Sequence, residues 1–335
     1  MSSSFLTRCL CACALLAASA AAPAATLKLA TLLPEGTNWM KEMRAGAAEI
    51  EKRTEGRVTL KFFPGGVMGN DKSVLRKIRA GQLQGGVLAS TGLTDVYKDA
   101  QIYTLPMIFR SYEEVDYVRA RVDQTLQAGL EDAGLVPLGI SEGGFTYLMS
   151  QASVGEVAEL KGRKVWVPEG DPISQAALEY AGVTPVPLPF ADVYTALQTG
   201  LLDTVFAVPS GAIAFQWYTK LKSLVDMPVT YVLGVLVVDK RSFDKLEPAD
   251  QAVVSEVVEN TFTRLNKISR DDNQKALAAL KKQGIEFNDL PAAEQEKLRG
   301  KAERAIDDHR DKGLYSPALL EDVRAHLAEF RAKAE

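Results

Sequence analysis

The chain is poor in the residue types that most often carry catalysis and metal binding. It contains two histidines, His309 and His326, and three cysteines, Cys9, Cys11 and Cys13, in 335 residues. All three cysteines precede residue 25, so a chain processed there has no thiol and no disulfide. Clustered transition-metal ligands are missing, and a serine nucleophile would have no well-placed histidine base. The sequence therefore predicts a protein that is not an enzyme and needs no cofactor.

Long apolar runs are also scarce, apart from one at the N-terminus. Residues 1–25 have the features of a secretory signal: Arg8 supplies the positive charge, an apolar stretch follows, and Ala22–Ala24 forms a small-residue cleavage site. No later segment approaches the roughly 20 apolar residues that a membrane-spanning helix needs. We expect an exported protein that works in the periplasm.

The chain has no large excess of positive charge that would indicate binding to nucleic acid or to an anionic membrane surface. Without Arg8, the mature chain carries 38 basic and 43 acidic side chains. Such mild acidity provides no electrostatic footprint for nucleic acid. The 47% hydrophobic composition is enough for a core, and about 310 mature residues favour two domains over one.

What the sequence does contain is an alternation of strand-like and helical patterns, typical of a parallel sheet covered by helices. Trp39, Met43, Ala47 and Ile50 recur at helical spacing, and a second helix is capped by Asn70 or Asp71. The predicted strands are 27–31, 58–63, 85–90, 135–140, 164–167, 184–187 and 204–208.

After these two α/β halves, a helical pattern runs from Asp250 to about Gln283, longer than most helices of globular proteins. A helix of that length can brace both halves. Two charged helices, near 292–308 and 317–333, are expected to pack on the outside. An exported two-lobed α/β protein without catalytic groups suits closure around a small molecule between its lobes.

Four segments carry a resemblance to a known family over nearly the whole mature chain. They are Phe63–Asn70, Leu105–Phe109, Leu160–Val165 and Pro189–Asp203, of which the last is the most specific. The chain resembles the dicarboxylate-type substrate-binding proteins of tripartite ATP-independent periplasmic (TRAP) transporters. The resemblance implies an α/β, two-lobed periplasmic binding protein fold with crossing strands, an interlobe ligand cleft and a long bracing C-terminal helix.

The resemblance also implies lobes and partners. We place lobe 1 at 26–146 plus 229–270, and lobe 2 at 147–228 plus 271–335 with the C-terminal helices. The expected partners are a small-molecule ligand and the TRAP membrane permease subunits, with a helical-repeat accessory protein as a further possibility.

The sequence departs from that family at the residues that hold a carboxylate. Trp166 stands where relatives carry an arginine, Thr146 where many carry a second arginine, and Ala207 where an asparagine often supports the carboxylate. Arginine makes a bidentate, charge-assisted pair with a carboxylate, whereas tryptophan offers a flat apolar face and one N–H donor. We therefore expect an apolar, aromatic or amphipathic ligand.

The candidate ligand contacts are mainly aromatic residues and a few polar anchors. They are Trp166, Phe190, Phe145, Tyr147, Phe206, Thr146, Glu169, Ser90, Thr91, Ser210 and Ala207, with Trp39, Glu142 and Asp171 as further possibilities. Trp166 and Phe190 are the leading contacts. Each aromatic residue could instead belong to the core, and 169–172 could be a turn with a helix cap.

Three alternatives remain open from the sequence. The ligand could be an organic acid, its carboxylate bound by backbone N–H groups, by Thr146, Ser90 or Thr91, or by an unplaced cation. Arg163, the nearest cation in sequence, is expected to face solvent. The receptor could also serve a membrane signalling protein instead of a permease, and an exported enzyme would need a clustered nucleophile and base.

Overall fold

The computed structural model describes residues 24–334. Nearly all of the predicted signal, residues 1–25, lies outside the described residues. The strands are β1 Ala25–Thr31, β2 Val58–Phe63, β3 Gly85–Ala89, β4 Leu135–Ser150, β5 Lys164–Pro168, β6 Thr184–Leu188, β7 Thr204–Ala207, β8 Ser223–Asp239 and β9 Glu286–Asn288.

The helices alternate with the strands through most of the chain. They are α1 Asn38–Arg53, α2 Asp71–Arg79, α3 Tyr112–Asp132, α4 Pro172–Tyr180, α5 Val193–Thr199, α6 Pro209–Ala214, α7 Lys240–Phe243, α8 Pro248–Lys282, α9 Ala292–Asp311 and α10 Pro317–Ala334. Asn70 caps α2 by accepting a hydrogen bond from Ser73 N, as its position before the helix predicts. Among the described residues, no helix combines the length and the apolar composition required to cross a membrane.

The sheet joins two parallel halves through two long antiparallel strands. Its order is β2-β1-β3-β8-β4-β7-β5-β6, with β9 paired to β8. Strands β1, β2 and β3 run parallel in lobe 1, and β5, β6 and β7 run parallel in lobe 2. The end of β8 pairs with β3, whereas the end of β4 pairs with β7. Both long strands therefore cross from one lobe to the other.

These crossing strands are where the sequence prediction of the sheet is wrong. The strand predicted at 135–140 extends to Ser150, and β8 was not predicted from its residues. Gly143 and Gly144 lie in a bulged stretch of β4, where Gly144 has a φ of +105°. Pairing with β8 stabilises this glycine-containing strand, and pairing between distant segments is invisible to local pattern.

The long helix α8 braces the molecule as predicted. In its first half Val254, Val257 and Leu265 pack against lobe 1 together with α1, while Leu280 near its end packs into lobe 2. Each lobe has a buried apolar cluster on either face of its sheet. The α/β two-lobed architecture is thus confirmed, and it leaves a cleft where the carboxyl ends of the parallel strands face each other.

Candidate ligand-binding cleft

A cavity of about 840 Å³ lies between the lobes. Its walls come from both, with Trp39, Asp71 and Thr91 on the side of lobe 1 and Trp166 and Phe190 on the side of lobe 2. This volume is within the range of pockets for small molecules.

Trp166 lies on β5 and forms part of the cavity wall, with 4% of its surface exposed. Its indole N–H donates to the carbonyl oxygen of Leu188 on the adjacent strand at 3.0 Å. That bond uses the only donor of the side chain and fixes the ring. What Trp166 presents to the cavity is therefore apolar.

Trp166 belongs to an aromatic wall that we define as Trp166, Phe190, Phe215 and Trp217. All four side chains line the cavity. Trp166 meets Phe190 and Trp217 edge-on, with ring centroids 5.9 and 5.5 Å apart, and Phe190 lies 4.7 Å from Phe215. Such pairs support one another beyond simple burial and hold the wall rigid. Sequence reasoning did not identify Phe215 or Trp217, because they follow α6 in a stretch without periodic pattern.

The other predicted site residues separate into two groups. Those that line the cavity are Thr91, Thr146, Glu169, Phe206, Ala207 and Ser210, together with the further candidates Trp39, Glu142 and Asp171. Those that do not are Ser90, Phe145 and Tyr147, whose positions have a simple physical cause.

Successive side chains of a strand point to opposite faces, so Thr146 and its neighbours Phe145 and Tyr147 cannot all face the cavity. Thr146 faces the cavity, and its hydroxyl exchanges 3.2 Å hydrogen bonds with the backbone of Thr230 on β8. Phe145 points to the opposite face and packs against Tyr112 and Tyr231, with centroids 5.0 and 5.3 Å away. Tyr147 is half-buried and packs against the apolar clusters of both lobes, and burial raises the pKa of its hydroxyl to about 12. Phe145 therefore has a core position, and Tyr147 lies at the edge of the core.

Ser90 is buried beneath the cleft rather than exposed to it. Its side chain is 1% exposed, and its hydroxyl has no hydrogen-bond partner within residues 24–334. Thr91, the next residue, is half-buried and reaches the cavity.

The carboxylate of Glu142, a candidate anchor for the ligand, is already paired with other protein groups. Tyr231 donates its hydroxyl to one carboxylate oxygen at 2.7 Å, and Arg270 Nε donates to the other at 2.8 Å. Arg270 also pairs with Asp116, and this pairing raises its pKa above the ordinary arginine value. Glu142 thus connects α8 to β4 instead of offering a free charge to a ligand.

Ser210 is likewise held by the protein. Asn273 on α8 accepts from the backbone N–H of Ser210 at 3.0 Å and from its hydroxyl at 2.7 Å. The same amide donates to the carbonyl oxygen of Gly143 at 2.7 Å. One buried side chain therefore links α6, α8 and β4 at the base of the cleft.

Two carboxyl groups in the cavity wall have raised pKa values. Asp71, in the first turn of α2, accepts from Ala89 N at 3.2 Å, and burial raises its pKa to about 6. Asp171 caps α4 by accepting from Ser174 N at 3.0 Å, and burial raises its pKa too. Residues 169–172 thus form the turn and helix cap predicted from the sequence as an alternative to a ligand contact.

Cations are few around the cavity and lie at its margin. Of the described residues that line it, the cationic ones are Lys72 and Lys275, both exposed. Arg163 is directed away, because its guanidinium donates to the carbonyl oxygens of Glu159 and Ser153. A carboxylate in the interior of the cleft would therefore meet no described arginine.

The chain can now be compared with known proteins. It matches the family described as bacterial extracellular solute-binding protein, family 7 (DctP), over residues 29–312. It is 27% identical to the 2,3-diketo-L-gulonate-binding periplasmic protein YiaO of Escherichia coli over 242 residues, 71% of this chain and 73% of that relative. It is 28% identical to the C4-dicarboxylate-binding periplasmic protein DctP of Rhodobacter capsulatus over 259 residues, 75% and 77% of the two chains.

A solved structure has the same fold. The sugar acid binding protein of Advenella mimigardefordensis, in complex with galactonate, superimposes with a TM-score of 0.85. The match covers 92% of this chain and 99% of that one at 20% sequence identity. All three proteins are named for the solutes that they bind. The chain therefore belongs to bacterial extracellular solute-binding protein family 7, and it is a periplasmic solute receptor of the TRAP type.

Proposed function

We propose that this receptor binds an apolar, aromatic or amphipathic molecule in the interlobe cleft and delivers it to TRAP membrane permease subunits. The carrying observation is the aromatic wall, which contains Trp166 at the position where the family resemblance implies a carboxylate-binding arginine. The only donor of Trp166 is bound to Leu188 O.

Electrostatics support this ligand class. Burying a carboxylate without a paired cation costs several kcal/mol, and the described cations of the cavity wall are exposed lysines at its margin. Rigid aromatic faces instead recognise apolar or aromatic surface by area and shape. Thr91 remains as a polar contact for the head of an amphipathic ligand, whereas the hydroxyl of Thr146 is already bound to the backbone of Thr230.

The comparisons favour a second candidate, an organic acid. The related proteins are named for 2,3-diketo-L-gulonate and C4-dicarboxylates, and the superimposed structure holds galactonate. In this chain an acid would leave its carboxylate near Lys72, whose amino group approaches Gly170 across the cleft, or would use backbone N–H groups. A helical-repeat accessory protein stays a prediction that no observation tests.

Native mass spectrometry of the purified mature protein, before and after unfolding and refolding, tests the proposal. A lipid-like or aromatic molecule that is lost on refolding supports it and identifies the ligand class. A bound sugar acid or dicarboxylate contradicts the apolar ligand and leaves the receptor assignment intact.

A further inference from the structure

The cavity does not end at the interlobe cleft. On β5, Trp166 and Val167 are adjacent, so their side chains point to opposite faces of the lobe 2 sheet. Both nevertheless line the cavity. The cavity therefore reaches both faces of the sheet near the carboxyl end of β5, where the pairing with β7 is limited to Val165 and Thr204.

A second strand shows the same path independently. Phe206 and Ala207 are neighbours at the end of β7, and both line the cavity. Ala207 packs in the cluster that contains Trp166, whereas Phe206 packs against the cluster that contains Val167. The cavity therefore has one part in the cleft and another behind the sheet.

We call the part behind the sheet the apolar branch and define it by Leu148, Leu160, Val167, Leu178, Met227 and Ala302. All six are buried and line the cavity. Leu178 comes from α4 and Ala302 from α9, so these two helices cover the branch. None of the six has a charged group, a hydroxyl or an amide in its side chain.

The apolar side chains that line the branch favour an apolar occupant over water. Water in a space with such walls would lack the two to four polar partners that hold it in a protein. An apolar chain gains from every methylene that it buries there. The methionines at the wall, Met107 and Met227, are flexible enough to adapt to the shape of the chain.

We propose that the apolar branch accommodates a straight alkyl chain whose polar head stays in the interlobe cleft beside Thr91 and Thr146. This inference rests on the proposed function and narrows its ligand class from apolar or amphipathic molecules in general to molecules with an aliphatic tail. A compact hydrophilic acid would leave the branch empty.

The test is a chain-length series on the refolded, ligand-free mature protein. Binding of the straight-chain 1-alkanols from hexanol to dodecanol is measured by displacement of N-phenyl-1-naphthylamine, followed by its fluorescence. Affinity is expected to rise about fourfold for each added methylene until the branch is full. An affinity that is flat from hexanol to dodecanol would overturn the inference.

Ala302→Leu separates the branch from the cleft. The larger side chain fills the branch, so dodecanol should lose at least tenfold in affinity while hexanol, held in the cleft, changes less than twofold. Trp166→Ala should instead weaken all members of the series by a similar factor. Equal loss for hexanol and dodecanol in Ala302→Leu would contradict a separate branch.

Ala305→Leu is the matched control, because Ala305 lies on the same helix, is 0% exposed and is absent from the cavity wall. It should lower the melting temperature through overpacking, whereas Ala302→Leu enters open space and should be tolerated. If both substitutions lower the melting temperature equally, protein side chains already fill the branch, and the inference is wrong. If the probe and hexanol bind but chain length has no effect, only this inference fails. If neither binds and an organic acid co-purifies, the proposed ligand class fails as well.

Discussion

Trp166 makes its part of the cleft wall apolar, at a position where the family resemblance implies an arginine. Its ring is buried, its N–H is bound to Leu188 O, and its faces meet Phe190 and Trp217. The neighbouring changes act in the same direction, since Thr146 is satisfied by Thr230 and Ala207 has no polar group. The consequence is a wall that offers area rather than charge.

Trp166→Arg should restore an acid-binding cleft and destabilise the empty protein. The guanidinium would be buried where only 4% of the Trp166 surface is exposed, so the free energy of unfolding should fall by about 3 kcal/mol. Galactonate or succinate at millimolar concentration should raise the melting temperature of this variant by ligand linkage.

Trp166→Phe is the control for that substitution, because it keeps an aromatic ring and loses the indole hydrogen bond and part of the ring volume, together worth about 2 kcal/mol. It should not respond to either acid. If the wild-type protein is stabilised by these acids as strongly as Trp166→Arg is, the role assigned to the missing arginine is wrong.

Asp71→Asn should change the pH dependence of stability. Burial raises the folded-state pKa of Asp71 from 3.8 to about 6, so the folded state holds this proton more tightly than the unfolded state does. This proton adds to the free energy of unfolding. The addition is fully present below about pH 4, near the unfolded-state pKa, and is lost as the pH rises through the folded-state pKa of about 6. The variant should be more stable than wild type at pH 7 by about 2 to 3 kcal/mol.

Urea unfolding at pH 4, 5, 6 and 7 measures this effect. Asp95→Asn is the matched control, since Asp95 lines the same cavity but is exposed. A difference between Asp71→Asn and wild type that stays constant across the pH range would show that Asp71 does not titrate there.

Helix α8 owes its position to close packing against α1 as well as to its length. Gly46 on α1 faces Thr261 on α8, and a Cβ at position 46 would lie 2.7 Å from Thr261 Oγ1. The hydroxyl cannot easily turn away, because it donates to Val257 O at 2.7 Å. Because Gly46 has no Cβ, the two helices can approach closely at this point. This contact fixes the place where α8 crosses lobe 1.

A double-mutant cycle tests this contact. Gly46→Ala alone should destabilise by about 1 to 3 kcal/mol through overpacking, despite the better helix propensity of alanine. In a Thr261→Ala background the same change meets no oxygen and should stabilise by up to about 1 kcal/mol. Chemical denaturation of the four proteins gives the coupling energy, and a value near zero would mean that the helices separate at no cost.

Within residues 24–334, the two lobes are joined by two crossing strands, by α8 and by the C-terminal helices, since Arg331 of α10 pairs with Glu114 of α3. Strands β4 and β8 cross between them, and α8 packs on both. Hinge closure absorbs its backbone changes in a few residues. The bulges of β4 between Glu142 and Gly144 and between Thr146 and Tyr147 lie at the crossing, beside the cleft.

The ligand-free protein should therefore be more open than the ligand-bound one. Small-angle X-ray scattering is expected to give a larger radius of gyration after refolding, and adding back the organic extract of the purified protein should reverse the change. The melting temperature should rise in parallel, since a ligand at 100 times its dissociation constant stabilises by about 2.7 kcal/mol. Identical scattering before and after ligand removal would contradict closure.

Most of the regular elements could be predicted because their signals are local. The apolar spacing around Met43 and Ile50 and the cap at Asn70 need only a few neighbouring residues. The lobe boundaries stay a prediction. At the site, Trp166 and Phe190 were identified by their place in a family motif, whereas Phe215 and Trp217 follow no pattern and enter the wall only by folding.

The sequence by itself determined the class of the molecule, an exported α/β solute receptor, whereas the tryptophan at the place of a carboxylate-binding arginine is what the family resemblance implies. Composition, periodicity and motif order carry that information because each acts over short distances along the chain. The tertiary structure decided which side chains reach the cleft. It placed Phe145 in the core and Tyr147 at its edge, paired Glu142 with Arg270, and joined both faces of the lobe 2 sheet in one cavity. These outcomes depend on pairing and packing between residues that are far apart in sequence.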